Sequence, residues 1–482
     1  MPATTNQTVH ISEWAKVAAH GLSPGQRQQL DAAAGAWAEQ QCLSAPPLSF
    51  SGPDGQWLCA NQYVGVVEVD DVAVEIYPKL DAALISSGDS APIADSVKLN
   101  TVMRNLLWML EVSSHRELIE ADTGHLEESP TNFFDLFAYL LGKNLLRQLL
   151  SGVPHKYVAH QGDLHTVRGR INLREQVSRN WNRFDRIACT WDEFTPNTPA
   201  NRLFKCACRF LANRVSYSEA ARLLVDCLAL LDEVEDVSPL IALRDVQNLH
   251  FDRSMDRFRL AYDLAHRLLR SSGHALGVGG ANTYVFLIDM NKLFEDYVYA
   301  ALSARFQTNV KQQENVGYLF PHLPKGRIQQ NADYFWRHGD GLWIGDAKYK
   351  HLTKDQASAL KFAELPDTED VQAGETTLAG HVLSAADVRQ LTVYAELAKG
   401  KHQPENGQVS LMLLYPFIGA DSEFLPDRAT AWNGADFWLV PVRVDRQTDA
   451  ASVIPELACA PVPISGNNPF TPRPIPVTMS SN

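Results

Sequence analysis

The sequence predicts a multidomain α/β (α+β) protein: an N-terminal β-rich module, then a mixed helical and β arm, then a mixed sheet flanked by helices. Its 482 residues exceed what one hydrophobic core normally serves. Alternating apolar residues near the N-terminus indicate strands, and short apolar runs between helical stretches indicate a helix-flanked sheet further on. We expect domains at residues 1–85, 97–285 and 286–445, and a proline-rich, partly disordered tail at 446–482.

The N-terminal module is predicted to combine one helix, residues 25–41, with strands between residues 56 and 79. The strands are joined by a turn at Asp70-Asp71. Their alternation of valine and isoleucine with other residues predicts an antiparallel sheet that is exposed on one face. Residues 86–95, rich in Ser, Gly, Asp and Ala, are typical of a linker.

The arm is predicted to contain helices at 132–150, 201–213, 219–234 and 255–269, with strands between 157 and 173. Between residues 168 and 186 there are six arginines against two acids, with two aromatic residues interleaved. Such a stretch can contact a DNA backbone, dock an acidic partner or form a solvated surface, and all three interpretations stay open. The residues proposed for contact with DNA or a partner are Arg168, Arg170 and Arg174, together with Tyr394 in the C-terminal part.

The C-terminal part is predicted to begin with a helix over residues 287–306, in which Glu295 lies beside the apolar face. Residues 332–336 and 342–344 are predicted strands that form a hairpin. An acidic segment, residues 351–386, is predicted to be a mobile insertion. A second helix over residues 387–397 and a strand over residues 437–442 follow.

Two aspartates and a lysine in this region form a candidate catalytic site. Asp333 and Asp346 can converge at one end of the two strands. With the backbone carbonyl of Ala347 they would form an all-oxygen site of the kind that Mg²⁺, or Mn²⁺ in its place, prefers. Lys348 is two residues beyond Asp346, on the same face of the strand, where its ammonium can orient an attacking water or neutralise a phosphate.

The order of these elements resembles that of the PD-(D/E)xK nucleases: a helix with Glu295, strands with Asp333 and Asp346-Ala347-Lys348, and a helix with Gln390 and Tyr394 one turn apart. The Gln390–Tyr394 element resembles the RecB-like branch. More widely, the chain resembles the McrC family, the nuclease subunits of McrBC-type modification-dependent restriction systems. The stretches that carry this resemblance are 105–110 (NLLWML), 167–171 (VRGRI), 199–205 (PANRLFK), 290–295 (MNKLFE), 346–350 (DAKYK), 389–394 (RQLTVY) and 413–416 (LLYP).

The resemblance implies a magnesium-dependent DNA endonuclease with a C-terminal PD-(D/E)xK core. Asp333 and Asp346 would hold the metal and Lys348 would position the nucleophile. Glu295 would be a further ligand or act through water, and Gln390 would orient Lys348 or the phosphate. The family further implies a McrB-type AAA+ partner that hydrolyses GTP, methylated DNA as the target, and a role in defence against foreign DNA.

Composition limits these possibilities. A formal net charge of −13 opposes nonspecific binding to DNA, so a nuclease of this composition would rely on a local patch or a partner. The glycine cluster at 277–280 is not followed by a Lys-Ser/Thr pair, so any GTP would act only through a partner subunit. No apolar run is long enough to cross a membrane, and we expect a cytoplasmic protein. Two alternatives stay open: a stand-alone RecB-like repair or recombination nuclease, and a noncatalytic activator of an AAA+ partner.

Overall fold

The computed structural model forms two compact units, Met1–Arg104 with Glu127–Ile288 and Asn105–Leu126 with Asp289–Asn482. Both combine helices with sheets, which confirms the predicted α/β multidomain class. The predicted linker and most of the predicted tail lie outside the described residues. The structure describes residues 7–79, 96–114, 132–251, 253, 255–270, 283–306, 310–320, 322, 328–338, 341–350, 375–378, 381–402, 409–419, 421–430, 434–445 and 450–457.

The first unit begins with an α/β module and continues into helices and a small sheet. The elements of its module are β1 (Gln7–Ser12), β2 (Lys16–Ala18), α1 (Pro24–Gln40), β3 (Leu48–Ser51), β4 (Trp57–Ala60), β5 (Tyr63–Val69) and β6 (Val72–Tyr77). The elements that follow are α2 (Ser96–Ser114, shared with the second unit), α3 (Phe133–Leu150), β7 (Lys156–Leu164), β8 (Arg170–Ile171), α4 (Leu173–Arg179), β9 (Ile187–Thr195), α5 (Pro199–Ala212), α6 (Ser218–Leu230), α7 (Pro239–Asp245), α8 (Arg259–Arg270) and β10 (Thr283–Asp289).

The predicted helix and strands of the module are confirmed, but the prediction that one face of the sheet is exposed is wrong. Strands β5 and β6 pair in antiparallel fashion, and β6 also pairs with β1 in parallel, in a sheet of order β1-β6-β5-β10. Almost every residue of β5 and β6 is buried. The reason is that both faces are covered: Trp37 of α1 packs into the core on one face, and on the other the ring of Tyr77 lies 5.5 Å from that of Phe133 in α3.

A buried carboxylate holds the helical part of the first unit together. Asp135, in the first turn of α3, is fully buried and accepts hydrogen bonds from the backbone N–H groups of Ser216 (2.7 Å) and Tyr217 (2.9 Å). The Ser216 hydroxyl donates to it as well, at 2.9 Å. These bonds fix the chain just before α6. The helices predicted at 132–150, 201–213, 219–234 and 255–269 are confirmed with small shifts of their ends.

The second unit is built around one six-stranded sheet. Its elements are α9 (Met290–Phe306), β11 (Lys311–Tyr318), β12 (Gln329–His338), β13 (Gly341–Ala347), β14 (Glu375–Leu378), β15 (His381–Ser384), α10 (Ala385–His402), β16 (Val409–Phe417), β17 (Asp427–Thr430) and β18 (Asp436–Arg443). The strand order is β11-β12-β13-β16-β18-β17. Strands β13, β16 and β18 run parallel and the outer pairs are antiparallel, so this is a mixed sheet flanked by helices.

The two faces of this sheet have different neighbours. Leu342 and Ile344 of β13 point into a core with Leu391 and Ala395 of α10. Side chains at the alternate positions of the strands face the other way, and there Tyr334 donates to the backbone carbonyl of Glu295 in α9 at 2.7 Å. The predicted strands at 332–336, 342–344 and 437–442 and the helix at 387–397 are therefore confirmed within longer elements.

The predicted start of the first helix is wrong by three residues. Residues 287–289 end strand β10, and α9 begins at Met290. The Asp289 side chain accepts from the backbone N–H groups of Asn291 (2.9 Å) and Lys292 (3.4 Å), which caps the helix at this point. Of the acidic insertion at 351–386, the structure describes the β14–β15 hairpin and the start of α10, and the remainder lies outside the described residues.

Candidate active site

The hairpin of β12 and β13 brings Asp333 and Asp346 together. Tyr334 pairs with Gly345 in the antiparallel register, so the next position on each strand places the two aspartates opposite each other. The backbone N–H of Ala347 donates to Asp333 Oδ2 at 3.1 Å. The carboxylates predicted to converge therefore do so, at the end of β13.

Asp346 is a buried carboxylate that is paired with Lys348. Its side chain is 1% exposed, and Lys348 Nζ lies 2.7 Å from its Oδ2. Neither oxygen of Asp346 accepts a well-aligned hydrogen bond within the described residues. Burial, reinforced by the negative charge of Asp333 and opposed by Lys348, raises the pKa of Asp346 to about 7. The site is therefore short of positive charge.

Lys348 is held at the edge of this carboxylate pair. Its backbone N–H donates to the carbonyl of Leu414 on β16 at 2.9 Å, which fixes the chain directly after β13. Burial alone lowers the pKa of Lys348, but the negative charges of Asp346, Asp333 and Asp387 outweigh burial and raise it. The side chain remains an ammonium donor with 27% exposure, so it can contact both Asp346 and a group arriving from solvent.

Glu295 lies close enough to Asp333 for the two carboxylates to interact electrostatically. Burial raises the pKa of Glu295, and the charge of Asp333 raises it further. The Tyr334 hydroxyl holds the backbone of Glu295, next to the strand position of Asp333. Glu295 therefore belongs to the neighbourhood of the two aspartates, while its use as a ligand stays a prediction.

Gln390 and Tyr394 contact each other on α10. Gln390 Nε2 donates to the Tyr394 hydroxyl at 2.6 Å. Burial raises the pKa of Tyr394, the bond from Gln390 opposes this, and the charges of Asp346 and Asp333 add to the rise. Tyr394 thus lies within electrostatic reach of the aspartates, and the predicted orientation of Lys348 by Gln390 stays a prediction.

Gln313 is a neighbour of the site that sequence reasoning missed. Its Nε2 donates to Asp333 Oδ1 at 3.1 Å from strand β11, and its φ of 51° lies in the left-handed region. Nothing in the sequence distinguishes it from the adjacent Gln312, so no pattern could have singled it out.

The donors at this site fit a hard divalent cation. In the parts of the chain that the structure describes, no group of three or more His, Cys, Asp or Glu side chains is placed to hold a metal ion. The donors would therefore be the carboxylates of Asp333 and Asp346, with the Ala347 carbonyl as the predicted third. Mg²⁺ commonly binds through one or two carboxylates and keeps several waters. The buried Asp346 is the observation that fits such a cation.

The predicted contact arginines lie in the first unit. Strands β7, β9 and β8 form a three-stranded sheet, and Arg168, Arg170 and Arg174 are exposed on or beside it. Arg168 pairs with Glu193 at 3.5 Å and lies over the ring of Trp191. Residues 156–195, which contain this sheet, expose many large apolar side chains: Tyr157, Val158, Val167, Ile171, Leu173, Val177, Trp181, Phe184 and Phe194.

Comparison with known proteins places the chain in a family. Residues 58–368 match the model described as McrBC 5-methylcytosine restriction system component. The chain belongs to this McrBC family. The predicted membership is therefore confirmed, although a comparison with curated proteins gives no match. None of the described helices is long and apolar enough to cross a membrane.

A solved structure supports the fold. The chain is similar to a chain of the half-complex from the tetradecameric assembly of Thermococcus gammatolerans McrB AAA+ hexamers with bound McrC, at 17% identity and a TM-score of 0.60, covering 93% of this chain and 98% of that chain. It is also similar to a chain of the Thermococcus gammatolerans McrBC complex, at 18% identity and a TM-score of 0.44, covering 64% of this chain and 90% of that chain. At such identities, the first likeness supports a shared fold.

Proposed function

We propose that this chain is the magnesium-dependent DNA endonuclease subunit of a McrBC-like, 5-methylcytosine-type restriction system and acts with a GTP-hydrolysing AAA+ partner. The observation that carries the proposal is the carboxylate pair of half-buried Asp333 and buried Asp346 beside Lys348, in a chain of the McrBC family. A noncatalytic activator would have no need to keep an ionisable aspartate buried in the sheet.

The site residues would have different roles in phosphodiester hydrolysis. Asp333 and Asp346 would hold Mg²⁺, which when bound lowers the pKa of a water and stabilises negative charge on the phosphate. Lys348, anchored by its backbone and partly exposed, would position that water or the phosphate. Gln390, which is bonded to the Tyr394 hydroxyl, would orient Lys348 or the phosphate, and Glu295 would be a further ligand or act through water.

The segment of residues 156–195 is the proposed contact with the AAA+ partner. Exposed apolar side chains in such number are unusual outside an interaction surface. Arg168, Arg170 and Arg174 would add charge complementarity to an acidic partner surface. The T. gammatolerans half-complex contains McrB AAA+ hexamers with bound McrC, and its similarity to this chain supports a partner of that type.

The decisive experiment is cleavage of methylated and unmethylated plasmid with Mg²⁺. It is carried out with and without GTP and the AAA+ protein encoded beside this chain. We expect cutting of methylated DNA only, with partner and GTP present, and its loss in Asp346→Ala. Asp256→Asn, which removes an exposed acid paired with Arg259, is the matched control. Methylation-blind cutting without a partner would favour a stand-alone nuclease, and wild-type cutting by Asp346→Ala would refute the site.

The partner contact is tested separately by stimulation of GTP hydrolysis. We expect the double variant Arg168→Ala, Arg170→Ala to stimulate the AAA+ protein less than wild type. The matched control is Arg259→Ala, which removes an exposed arginine from the same unit outside the segment. Unchanged stimulation by the double variant would show that the contact with the AAA+ partner lies elsewhere.

A further inference from the structure

Asp333 is held at both of its oxygens. The backbone N–H of Ala347 donates to Oδ2 and the Gln313 side-chain amide donates to Oδ1, each at 3.1 Å. Each carboxylate oxygen has two lone pairs, so both oxygens keep a lone pair for a cation. The two donors come from the strands on either side of β12, and together they fix the orientation of the carboxylate.

Gln313 has an unusual backbone at this point. Its neighbours pair regularly with β12, Gln312 with Tyr334 and Glu314 with Ala332, so Gln313 lies opposite Asp333. Its own φ of 51° is one that side chains other than glycine rarely adopt. In the described part of the second unit it is the one non-glycine residue with a positive φ. Such conformations are strained, and they concentrate at functional sites.

The amide suits this position better than a charged group would. A third carboxylate at residue 313 would add negative charge beside Asp333, whose neighbour Asp346 already pairs with the Lys348 ammonium. A lysine or arginine would neutralise Asp333 and compete with a cation. The neutral Gln313 amide donates one hydrogen bond and leaves the charge of Asp333 unchanged.

We infer that Gln313 is a positioning residue, which orients Asp333 for binding of a divalent cation and holds a strained backbone conformation to do so. The inference rests on the proposed function, because Asp333 is a ligand only if that function holds. It extends the site to the edge strand β11, where the Gln313 side chain is exposed and reachable from solvent.

Two substitutions separate positioning from a structural role. Gln313→Gly removes the amide but favours the left-handed backbone, so it should leave thermal stability unchanged or raise it. Gln313→Asn also tolerates this conformation, but it is one methylene shorter and should lose the bond to Asp333. The matched control is Gln329→Asn on β12, an exposed glutamine whose amide contacts Asn331 and neither aspartate.

The measurements are thermal unfolding of the metal-free protein, calorimetric titration with Mg²⁺ or Mn²⁺, and plasmid cleavage with partner and GTP over a range of Mg²⁺ concentrations. For both Gln313 variants we expect metal affinity to fall about 10- to 100-fold, as for other partners of metal ligands. The thermal midpoint should not fall, and excess Mg²⁺ should restore much of the cleavage. The control should match wild type in all three measurements.

Two results would overturn the inference. Wild-type metal affinity in Gln313→Gly would show that the amide does not position Asp333. A lower thermal midpoint in Gln313→Gly would show that Gln313 supports the fold instead. Asp346→Ala, measured in parallel, keeps the proposed function separate: if that variant loses cleavage at every Mg²⁺ concentration, the nuclease assignment stands whatever the Gln313 variants do.

Discussion

Asp346→Asn changes the charge of the candidate site with almost no change in side-chain size. In the metal-free protein, burial and Asp333 raise the pKa of Asp346 to about 7, against a usual value of 3.8. This difference corresponds to roughly 4 kcal/mol of unfolding free energy, because one pKa unit is about 1.4 kcal/mol. Asparagine carries no charge, so it should recover most of this free energy at high pH.

The pH dependence of this stability difference follows from the linkage between proton binding and folding. Because the pKa is higher in the folded state, the folded protein binds more protons between about pH 4 and pH 7, and stability falls as pH rises through this range. Asp346→Asn should therefore be more stable than wild type in EDTA at pH 8, by up to roughly 4 kcal/mol, and the gain should shrink to less than half of that at pH 5.

Chemical or thermal unfolding of the full chain at the two pH values measures this difference. The transition to follow is that of the second unit, for which the tryptophans of β12 and β13 are intrinsic probes. Adding Mg²⁺ should raise the midpoint of wild type and not that of the variant, since a ligand stabilises only the protein that binds it. Asp256→Asn should shift stability by less than about 0.5 kcal/mol at either pH. A variant that is no more stable than wild type at pH 8, or a gain independent of pH, would refute the electrostatic reasoning.

Three further outcomes are expected. Lys348→Met should abolish plasmid cleavage but leave stimulation of the partner GTPase intact, because it removes the ammonium beside Asp346 and changes no residue of the proposed partner contact. Gly169→Ala should reduce GTPase stimulation, since its φ is +69° and an added Cβ would lie 2.4 Å from the Thr190 carbonyl oxygen; Gly35→Ala, in open space on α1, is the control. Asp135→Ala should lower the stability of the first unit by roughly 3 to 5 kcal/mol in urea unfolding, because two backbone N–H groups and the Ser216 hydroxyl lose their acceptor.

Sequence periodicity predicted the elements that carry the candidate site. The apolar spacing of α9 was sufficient to identify its inner face, and all the residues predicted there, including Met290, Phe294 and Tyr297, are buried. The hairpin carrying Asp333 and Asp346 was also predictable, because its strands alternate and end in turn-forming residues. Local sequence was therefore sufficient to predict an element where one of its faces is apolar and the other is polar.

Strands without this contrast were missed. Strand β11 is polar along most of its length and lies at the edge of the sheet, so hydrophobicity gives no signal. Strand β16 is apolar throughout because parallel neighbours and helices bury both of its faces, and such a run cannot be told from a buried helix by periodicity. The same double burial explains why β5 and β6 were wrongly expected to have an exposed face.

The missed edge strand has a consequence for the chemistry of the site. Gln313 has its left-handed conformation at a position where β11 pairs with β12 on either side. Its contact with Asp333 is therefore a product of tertiary pairing, as is the burial that raises the pKa of Asp346. Residue types can predict which groups bind a cation, but the orientation and charge state of those groups are set by strands that are distant in sequence. A substitution in β11 that slips its register by one residue should therefore impair metal binding as strongly as Gln313→Gly, even with both aspartates intact.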